Sequence, residues 1–76
     1  MDYEKTTKEI ISAKTGVEIE DIKEESFFED DLNIGGLELI EIYDEIEEKF
    51  EVDLSEERGN FEKFSDLISA LNEKLE

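Results

Sequence analysis

Between positions 37 and 50 the apolar residues recur at steps of three and four: Leu39, Ile42, Tyr43, Ile46 and Phe50. Residues at this spacing lie on one face of an α-helix. The pattern therefore predicts an amphipathic helix from Leu37 to Phe50. Its apolar face has to be covered by the rest of the chain, so this segment is expected to form the centre of the fold.

Helical spacing also marks both ends of the chain. Near the N-terminus, Asp2 is a candidate N-cap, and Gly16 can take the left-handed conformation that closes a helix. A first helix is predicted between them, with this buried stripe: Tyr3, Thr7, Ile10, Ile11 and the stem of Lys14. A last helix is predicted to open at Phe61 or Phe64, with these apolar residues: Phe64, Leu67, Ile68, Leu71 and Leu75.

Two connections join the predicted helices. The first runs from Val17 to Gly36, and a loop of that length is ordered in a small domain only if it returns side chains to the core. Its candidate anchors are Val17, Ile19, Ile22, Phe27, Phe28, Leu32 and Ile34. In the second connection, Ser55 is predicted to cap a short helical turn through Arg58. No segment alternates apolar and polar residues, so the predicted fold is an all-α four-helix bundle with a long first loop and a short third helix.

The charge balance restricts the partners. Asp and Glu number 25 against 8 Lys and Arg, which gives a formal net charge of −17. Such a surface repels nucleic acid and favours basic protein partners. The chain is expected to be a monomer with one domain, residues 1–76. It has no cysteine, which suits a reducing cytoplasm, and no apolar run approaches the length of a membrane span.

Catalytic and metal-binding patterns are weak. The chain has neither histidine nor cysteine, so a nucleophile with its base is not expected, and neither is an enzyme. Asp31 and the residues after it are similar to the beginning of a calcium loop, with oxygen ligands at positions one and three and glycine at six. Position twelve, however, is Ile42, where a bidentate glutamate is required. No metal site is therefore expected.

The side of the predicted central helix that faces away from its apolar stripe is acidic. Glu38, Glu41, Glu45 and Glu48 recur at helical spacing, and Asp44 and Glu47 lie beside them. A run of charge on a helix face is usually only solvated surface. From these residues alone, that interpretation is favoured over a binding role.

Several segments resemble acyl carrier proteins in their order and spacing. The central one is residues 26–42, Ser-Phe-Phe-Glu-Asp-Asp-Leu-Asn-Ile-Gly-Gly-Leu-Glu-Leu-Ile-Glu-Ile. The Gly16-Val17 helix stop, the Glu47-Glu48-Lys49-Phe50 helix end and the 61–68 segment are also similar to that family. The resemblance implies a four-helix bundle with a long first loop and a short third helix.

The resemblance also implies that the central helix docks onto Arg and Lys patches of acyl-metabolism enzymes. Glu41, Glu47 and Glu48 match acidic contacts of the family, whereas Asp44 stands where the family often has an apolar residue. The expected partner surface is Leu37, Glu38, Glu41, Asp44, Glu45, Glu47 and Glu48. Phe28, Ile46 and Phe50 match residues that line the family's acyl pocket, but here they are interpreted as core.

One departure from the family concerns its chemistry. Where acyl carrier proteins have Asp-Ser-Leu, this sequence has Gly35-Gly36-Leu37. In the family the serine oxygen receives 4′-phosphopantetheine from coenzyme A, and glycine has no side-chain nucleophile. No cofactor is therefore expected on this sequence. Ser26 and Ser55 are predicted to lie on loops and are poor substitutes.

Three functions are compatible with these features. The leading hypothesis is an acyl-carrier-like protein that cannot take the arm and serves as a docking or regulatory partner of acyl-metabolism enzymes. The second is an ordinary carrier, of the fatty acid or polyketide type, in a serine-replaced form. The change of Gly35 as well as Gly36 argues against a single replacement. The third is a structural interaction module that uses the carrier fold outside acyl metabolism.

Overall fold

The computed structural model describes residues 3–76, and the named secondary-structure elements within them are all helices. They are α1 (Tyr3–Thr15), α2 (Gly36–Phe50) and α3 (Phe64–Leu75), with 3₁₀ helices at Ile19–Asp21 and Arg58–Asn60. The all-helical prediction is confirmed. Asp2, the predicted N-cap of α1, lies outside the described residues. No helix in residues 3–76 is long and apolar enough to cross a bilayer.

The C-terminal end of α1 follows the prediction. Gly16 has a φ of +81°, in the left-handed region that favours glycine, and its N–H donates to the carbonyl oxygen of Ser12 at 2.8 Å. The helix is therefore closed at Thr15, and the chain turns away into the long loop.

The segment between α2 and α3 differs from the prediction of a short helix from Ser55 to Arg58. Residues 55–57 form a turn, and the helical residues are Arg58–Asn60, in a 3₁₀ helix. The N-cap residue of the 3₁₀ helix is Glu57, which makes no side-chain cap bond, and the N–H of Ser55 donates to Asp53 Oδ1 at 2.9 Å. Gly59 and Asn60 have low α-helix propensity, which fits a 3₁₀ helix of three residues in place of a longer α-helix. Residues 3–76 therefore contain three α-helices, where four were expected.

The core lies where α1 packs against both α2 and α3. Its buried residues are Ile10, Ile11, Ile22, Phe28, Leu32, Ile34, Ile42, Tyr43, Ile46, Phe50, Leu54, Phe64, Leu67, Ala70 and Leu71. Two predicted anchors are wrong: Ile19 is 42% exposed and Phe27 is 37% exposed. The stem of Lys14 is not buried either, because its ammonium group reaches across to the acidic side of α2.

The long loop is ordered by backbone hydrogen bonds to the beginning of α3. The N–H of Phe28 donates to the carbonyl oxygen of Glu62 at 3.0 Å, and the N–H of Phe64 donates to that of Ser26 at 2.9 Å. Asp66 Oδ2 accepts the N–H of Lys63 at 3.0 Å, and this bond lowers the pKa of the Asp66 carboxyl. These bonds place the first residue of α3 at Phe64, the second of the two predicted positions.

Candidate functional site

The outward face of α2 carries two exposed apolar side chains near its N-terminal end. Leu37 is 81% exposed and Ile40 is 50% exposed. Residues three apart are neighbours on a helix surface, so the two form a single apolar patch. Glu38 and Glu41, both exposed, flank it. An apolar patch with a charged rim has the composition of a protein docking site.

The helix begins at the pair of glycines singled out in the sequence. Gly35 is the N-cap residue, and it has no side chain with which to cap. Glu38 Oε1 accepts the N–H of Gly35 at 3.4 Å, so the helix start is capped in one direction only. A Cβ atom added at Gly36 would meet no atom within 4 Å. Position 36 therefore has space for a side chain but presents no side-chain oxygen.

Near the other end of α2, Arg58 reaches back from the 3₁₀ helix onto the acidic face. Its Nη2 donates to Asp44 Oδ1 and to the carbonyl oxygen of Ile40, both at 3.0 Å, and its Nη1 donates to Glu47 Oε1 at 3.0 Å. The guanidinium carbon also lies 5.4 Å from the centre of the Tyr43 ring. A planar guanidinium suits this set of acceptors, because its donors point in fixed directions. We call this set of contacts the Arg58 clamp.

Tyr43 lies beneath the Arg58 clamp and is only 4% exposed, as predicted for the buried face. Its ring makes edge-to-face contacts with Phe28 and Phe61, at centroid distances of 6.3 and 5.6 Å. Burial raises the pKa of the Tyr43 hydroxyl to about 12, although the positive charge of Arg58 acts in the opposite direction. At neutral pH the phenol is therefore protonated.

A second cation, the ammonium group of Lys14, lies beside the exposed acids Glu41 and Glu45 of α2. Lys14 Nζ, from α1, is 3.4 Å from Glu45 Oε1 and 4.0 Å from Glu41 Oε1. All three side chains are substantially exposed, so these ion pairs contribute little to stability. They are looser than the contacts of Arg58.

Of the predicted partner residues, Glu47 differs from the others in its environment. The side chain of Glu47 is only 19% exposed, and its second oxygen accepts the N–H of Leu54 at 2.6 Å. Both of its oxygens are thus used within the chain. The exposed members are Leu37, Glu38, Glu41, Asp44, Glu45 and Glu48. Exposure is what a docking role requires, and for these six the role remains a prediction.

Beside the beginning of α2 lies a cleft of about 390 Å³ that the sequence patterns did not predict. Phe27, Phe28, Leu39 and Phe61 line it with apolar surface, and its acidic residues are Glu29, Asp30 and Glu62. Its residues come from three separate segments, so only the tertiary fold assembles it. Ile46 and Phe50 do not line it; they are buried in the core, as interpreted from the sequence.

The remaining candidate ligands serve the fold. Ser26 is buried in the long loop, where its Oγ accepts the N–H of Lys23 at 3.0 Å. Asp31, first in the calcium-loop comparison, accepts the N–H of Phe27 through Oδ2 at 2.8 Å. In the described part of the chain, no three His, Cys, Asp or Glu side chains are grouped so as to hold a metal ion.

Comparison with known proteins defines the class to which this helical chain belongs. No family model matches it. An acyl carrier protein from Chlamydia muridarum is 37% identical over 75 residues, which cover 97% of this chain and 97% of that protein. A match of this extent makes the chain a carrier-type protein and not an enzyme, as expected. It belongs to the acyl carrier protein family.

The contribution of Arg58 was missed at the sequence level. The sequence patterns place it only at the end of a short helical turn, yet it is the single arginine of a chain with 8 basic residues. That rarity was a usable signal, because a lone arginine among 25 acidic residues has many possible partners. Its actual partners depend on the turn at residues 55–57, which the sequence patterns did not define.

Proposed function

We propose that this member of the acyl carrier protein family does not carry 4′-phosphopantetheine and instead acts as a docking or regulatory partner of acyl-metabolism enzymes. The observation that carries the proposal is Gly36, which opens α2 without a side-chain oxygen. The resemblance aligns this residue with the family's attachment serine. The arm, when bound, supplies a thiol that holds an acyl chain as a thioester, and its attachment requires a hydroxyl that glycine lacks.

Other hydroxyl groups do not fit the arm better. Ser26 is 8% exposed, and its hydroxyl bonds within the loop. Ser55 is exposed, but it lies in the turn after α2 and not at a helix start. Tyr43 is buried under Arg58, and its raised pKa makes it a poor nucleophile at neutral pH. Gly36 and these three hydroxyl groups therefore do not fit the cofactor of the family.

The outward face of α2 is the docking surface in this proposal. It combines the apolar patch of Leu37 and Ile40 with carboxylates that suit Arg and Lys side chains of a partner. Complementary charge of this kind accelerates association and makes it sensitive to salt. We infer that the protein acts as a monomeric single domain in the cytoplasm, with residues 55–60 corresponding to the family's short third helix.

Attachment can be tested with a pantetheinyl transferase, coenzyme A and intact-mass measurement. We expect no mass gain for the unaltered chain and a gain of one phosphopantetheine group for Gly36→Ser. Gly36→Ala is the matched control, because it adds a Cβ without an oxygen. A mass gain on the unaltered chain would overturn the proposed loss of carrying. Failure of Gly36→Ser to accept the arm would argue that the docking surface has also diverged.

Docking can be measured separately by competition. The unaltered chain should slow the modification of an ordinary acyl carrier protein, such as the Chlamydia muridarum relative, by the same transferase. Inhibition should weaken with added salt, and the charge reversals Glu38→Lys and Glu48→Lys should reduce it further. A chain that causes no inhibition at low salt would contradict the proposed docking role for this enzyme.

The second candidate is an ordinary carrier in serine-replaced form. The open space around Gly36 favours it, since a serine would fit there without displacing a neighbour. Gly35 weighs against it, because one replacement does not change two residues. Comparing Gly36→Ser with the double variant Gly35→Asp, Gly36→Ser separates the two candidates. If both variants accept the phosphopantetheine group equally and completely, the docking surface is that of a working carrier, which supports the second candidate.

A further inference from the structure

We propose that Arg58 is an intramolecular competitor for the docking face of α2, one that a basic partner must displace to reach Glu47 and the oxygen of Asp44 that Arg58 binds. This inference rests on the proposed docking function. It adds that part of the acidic face is already occupied by a cation of the same chain.

The clamp occupies the acidic face in the way a partner arginine would. Its two terminal nitrogens meet the carboxylates of Asp44 and Glu47 at 3.0 Å, and one of them also donates to the carbonyl oxygen of Ile40. The guanidinium lies 5.4 Å from the ring centre of Tyr43. Its side chain is only 22% exposed, so a second cation cannot approach the same oxygens freely.

Asp44 and Glu47, the two acids that Arg58 contacts, differ in how much of each would become exposed if Arg58 moved away. The side chain of Asp44 is 64% exposed, so a partner cation can reach its outer oxygen while Arg58 stays in place. That of Glu47 is 19% exposed, and its other oxygen is held by the N–H of Leu54. Glu47 becomes available only when Arg58 leaves. The sequence-based assignment of Glu47 to the partner surface thus becomes conditional.

The competing contacts are strong enough to influence docking without preventing it. Hydrogen bonds between charged groups exceed neutral ones in strength, yet partly exposed ion pairs exchange readily with water and salt. Removing Arg58 should therefore tighten the binding of a basic partner. We expect Arg58→Ala to lower the inhibition constant in the transferase competition by roughly three- to tenfold at low salt.

Lys8→Ala is the matched control for this variant. Lys8 is also 22% exposed, also forms an ion pair, with Glu4 at 3.5 Å, and also lies near an aromatic ring, that of Phe64 at 5.7 Å. Both substitutions remove one positive charge. They differ in location, since Lys8 lies on α1 and contacts neither Asp44 nor Glu47. If the two variants lower the inhibition constant by the same factor, the effect is due to net charge alone, and the proposal is overturned.

Arg58→Lys tests the same point with the net charge unchanged. An ammonium group lacks the two separate nitrogens with which the guanidinium spans Asp44 and Glu47, so it should compete less well than arginine. It keeps the positive charge, so the inhibition constant should fall by a smaller factor than with alanine. This variant also keeps the test valid if Arg58→Ala does not fold. An inhibition constant equal to or higher than that of the unaltered chain would contradict the proposal.

Coupling between Arg58 and Asp44 provides a further test. In the unaltered chain, Asp44→Asn should weaken inhibition by a smaller factor than in the Arg58→Ala background, because Arg58 already pairs one oxygen of Asp44. In the Arg58→Ala background the same substitution should raise the inhibition constant several-fold. Equal effects in both backgrounds would show that Arg58 does not screen Asp44 from the partner, which overturns the proposal.

The outcomes separate this inference from the proposed function. If the unaltered chain inhibits and Arg58→Ala inhibits no better than Lys8→Ala, docking stands and competition by Arg58 fails. If Arg58→Ala inhibits and the unaltered chain does not, competition by Arg58 is supported and the proposed docking by the unaltered chain fails for this enzyme. If neither inhibits at low salt, both fail for this enzyme.

Discussion

The two ends of α2 are held in different ways. At its C-terminal end, Glu47 bonds to both Arg58 and Leu54, so side chains tie the helix to the segment that follows. At its N-terminal end, Gly35 and Gly36 have no side chains, and among residues 3–76 the side-chain cap is the 3.4 Å bond from the N–H of Gly35 to Glu38 Oε1. One end is stabilised by many contacts and the other by few.

This difference indicates where the chain tolerates substitutions with little loss of stability. A helix start with open space around it tolerates new side chains, so chemistry can be gained or lost there without loss of the fold. A helix end whose side chains bond to the next segment transmits any change to the loop. The family resemblance places the attachment chemistry at the first kind of end.

The largest effect is expected from truncating a core residue in the C-terminal half of α2. Ile46 is fully buried, and Ile46→Ala should lower the free energy of unfolding by about 3 kcal/mol through lost burial and the cavity it leaves. Ile40→Ala, at an exposed position of the same helix, should change it by less than about 0.5 kcal/mol. Urea denaturation of both variants measures the contrast, and comparable losses would contradict it.

Alkaline pH should also act through the tightly held region. Free tyrosine titrates near 10.0, and Tyr43 in the folded protein titrates at about 12. Between those values the unfolded chain loses this proton while the folded chain keeps it, so the free energy of unfolding falls as pH rises. The contribution is complete below pH 10 and amounts to about 2–3 kcal/mol.

Tyr43→Phe is the control for this titration, because Lys side chains also lose their protons in that range. The free energy of unfolding of the unaltered chain, taken relative to that of Tyr43→Phe, should fall from pH 10 to pH 12. Absorbance titration of the phenol should also show that Arg58→Ala raises the pKa of Tyr43 further, since Arg58 lowers it. A stability difference that stays constant across this range would contradict the role of burial.

Glu47 should contribute more to stability than its neighbour Glu48. Glu47→Ala removes one bond to Arg58 and the 2.6 Å bond from the N–H of Leu54, leaving both donors without their acceptor. We expect a loss of about 2 kcal/mol, since hydrogen bonds to charged groups exceed neutral ones. Glu48→Ala, at an exposed position, should be neutral or slightly stabilising, because it lowers the net negative charge. Thermal unfolding of the pair gives the comparison.

The sequence predicted the helices better than the connections between them. The spacing of apolar residues located α2 to within one residue, because burial of one face requires that spacing. Loop positions lack such a constraint. Ile19 and Phe27 were expected in the core because they are apolar, yet both are exposed, whereas Ile22 and Phe28 are buried.

For the candidate site, the sequence located the acids but not their bonds. Helical spacing placed Glu41, Asp44 and Glu48 on exposed positions of α2, as the structure has them. It could not distinguish Glu47, whose burial depends on Leu54 and Arg58 folding back over it. Contacts between residues 11 positions apart across an irregular turn are set by tertiary structure, and no local pattern encodes them.

The smallest effect is expected at the N-terminal end of α2. Gly36 is the first helical residue, and a Cβ there meets no atom within 4 Å, so Gly36→Ala should stabilise the protein by about 0.5 kcal/mol through reduced freedom of the unfolded chain. Gly16→Ala is the opposite case. With φ at +81°, it should destabilise by about 1 kcal/mol, although the space around it is equally open. Denaturation midpoints of the two variants should therefore move in opposite directions. A loss of stability in Gly36→Ala would mean that the backbone at the helix start requires glycine. Glycine at this position would then stabilise the fold, in addition to removing the oxygen to which the arm is attached in the family.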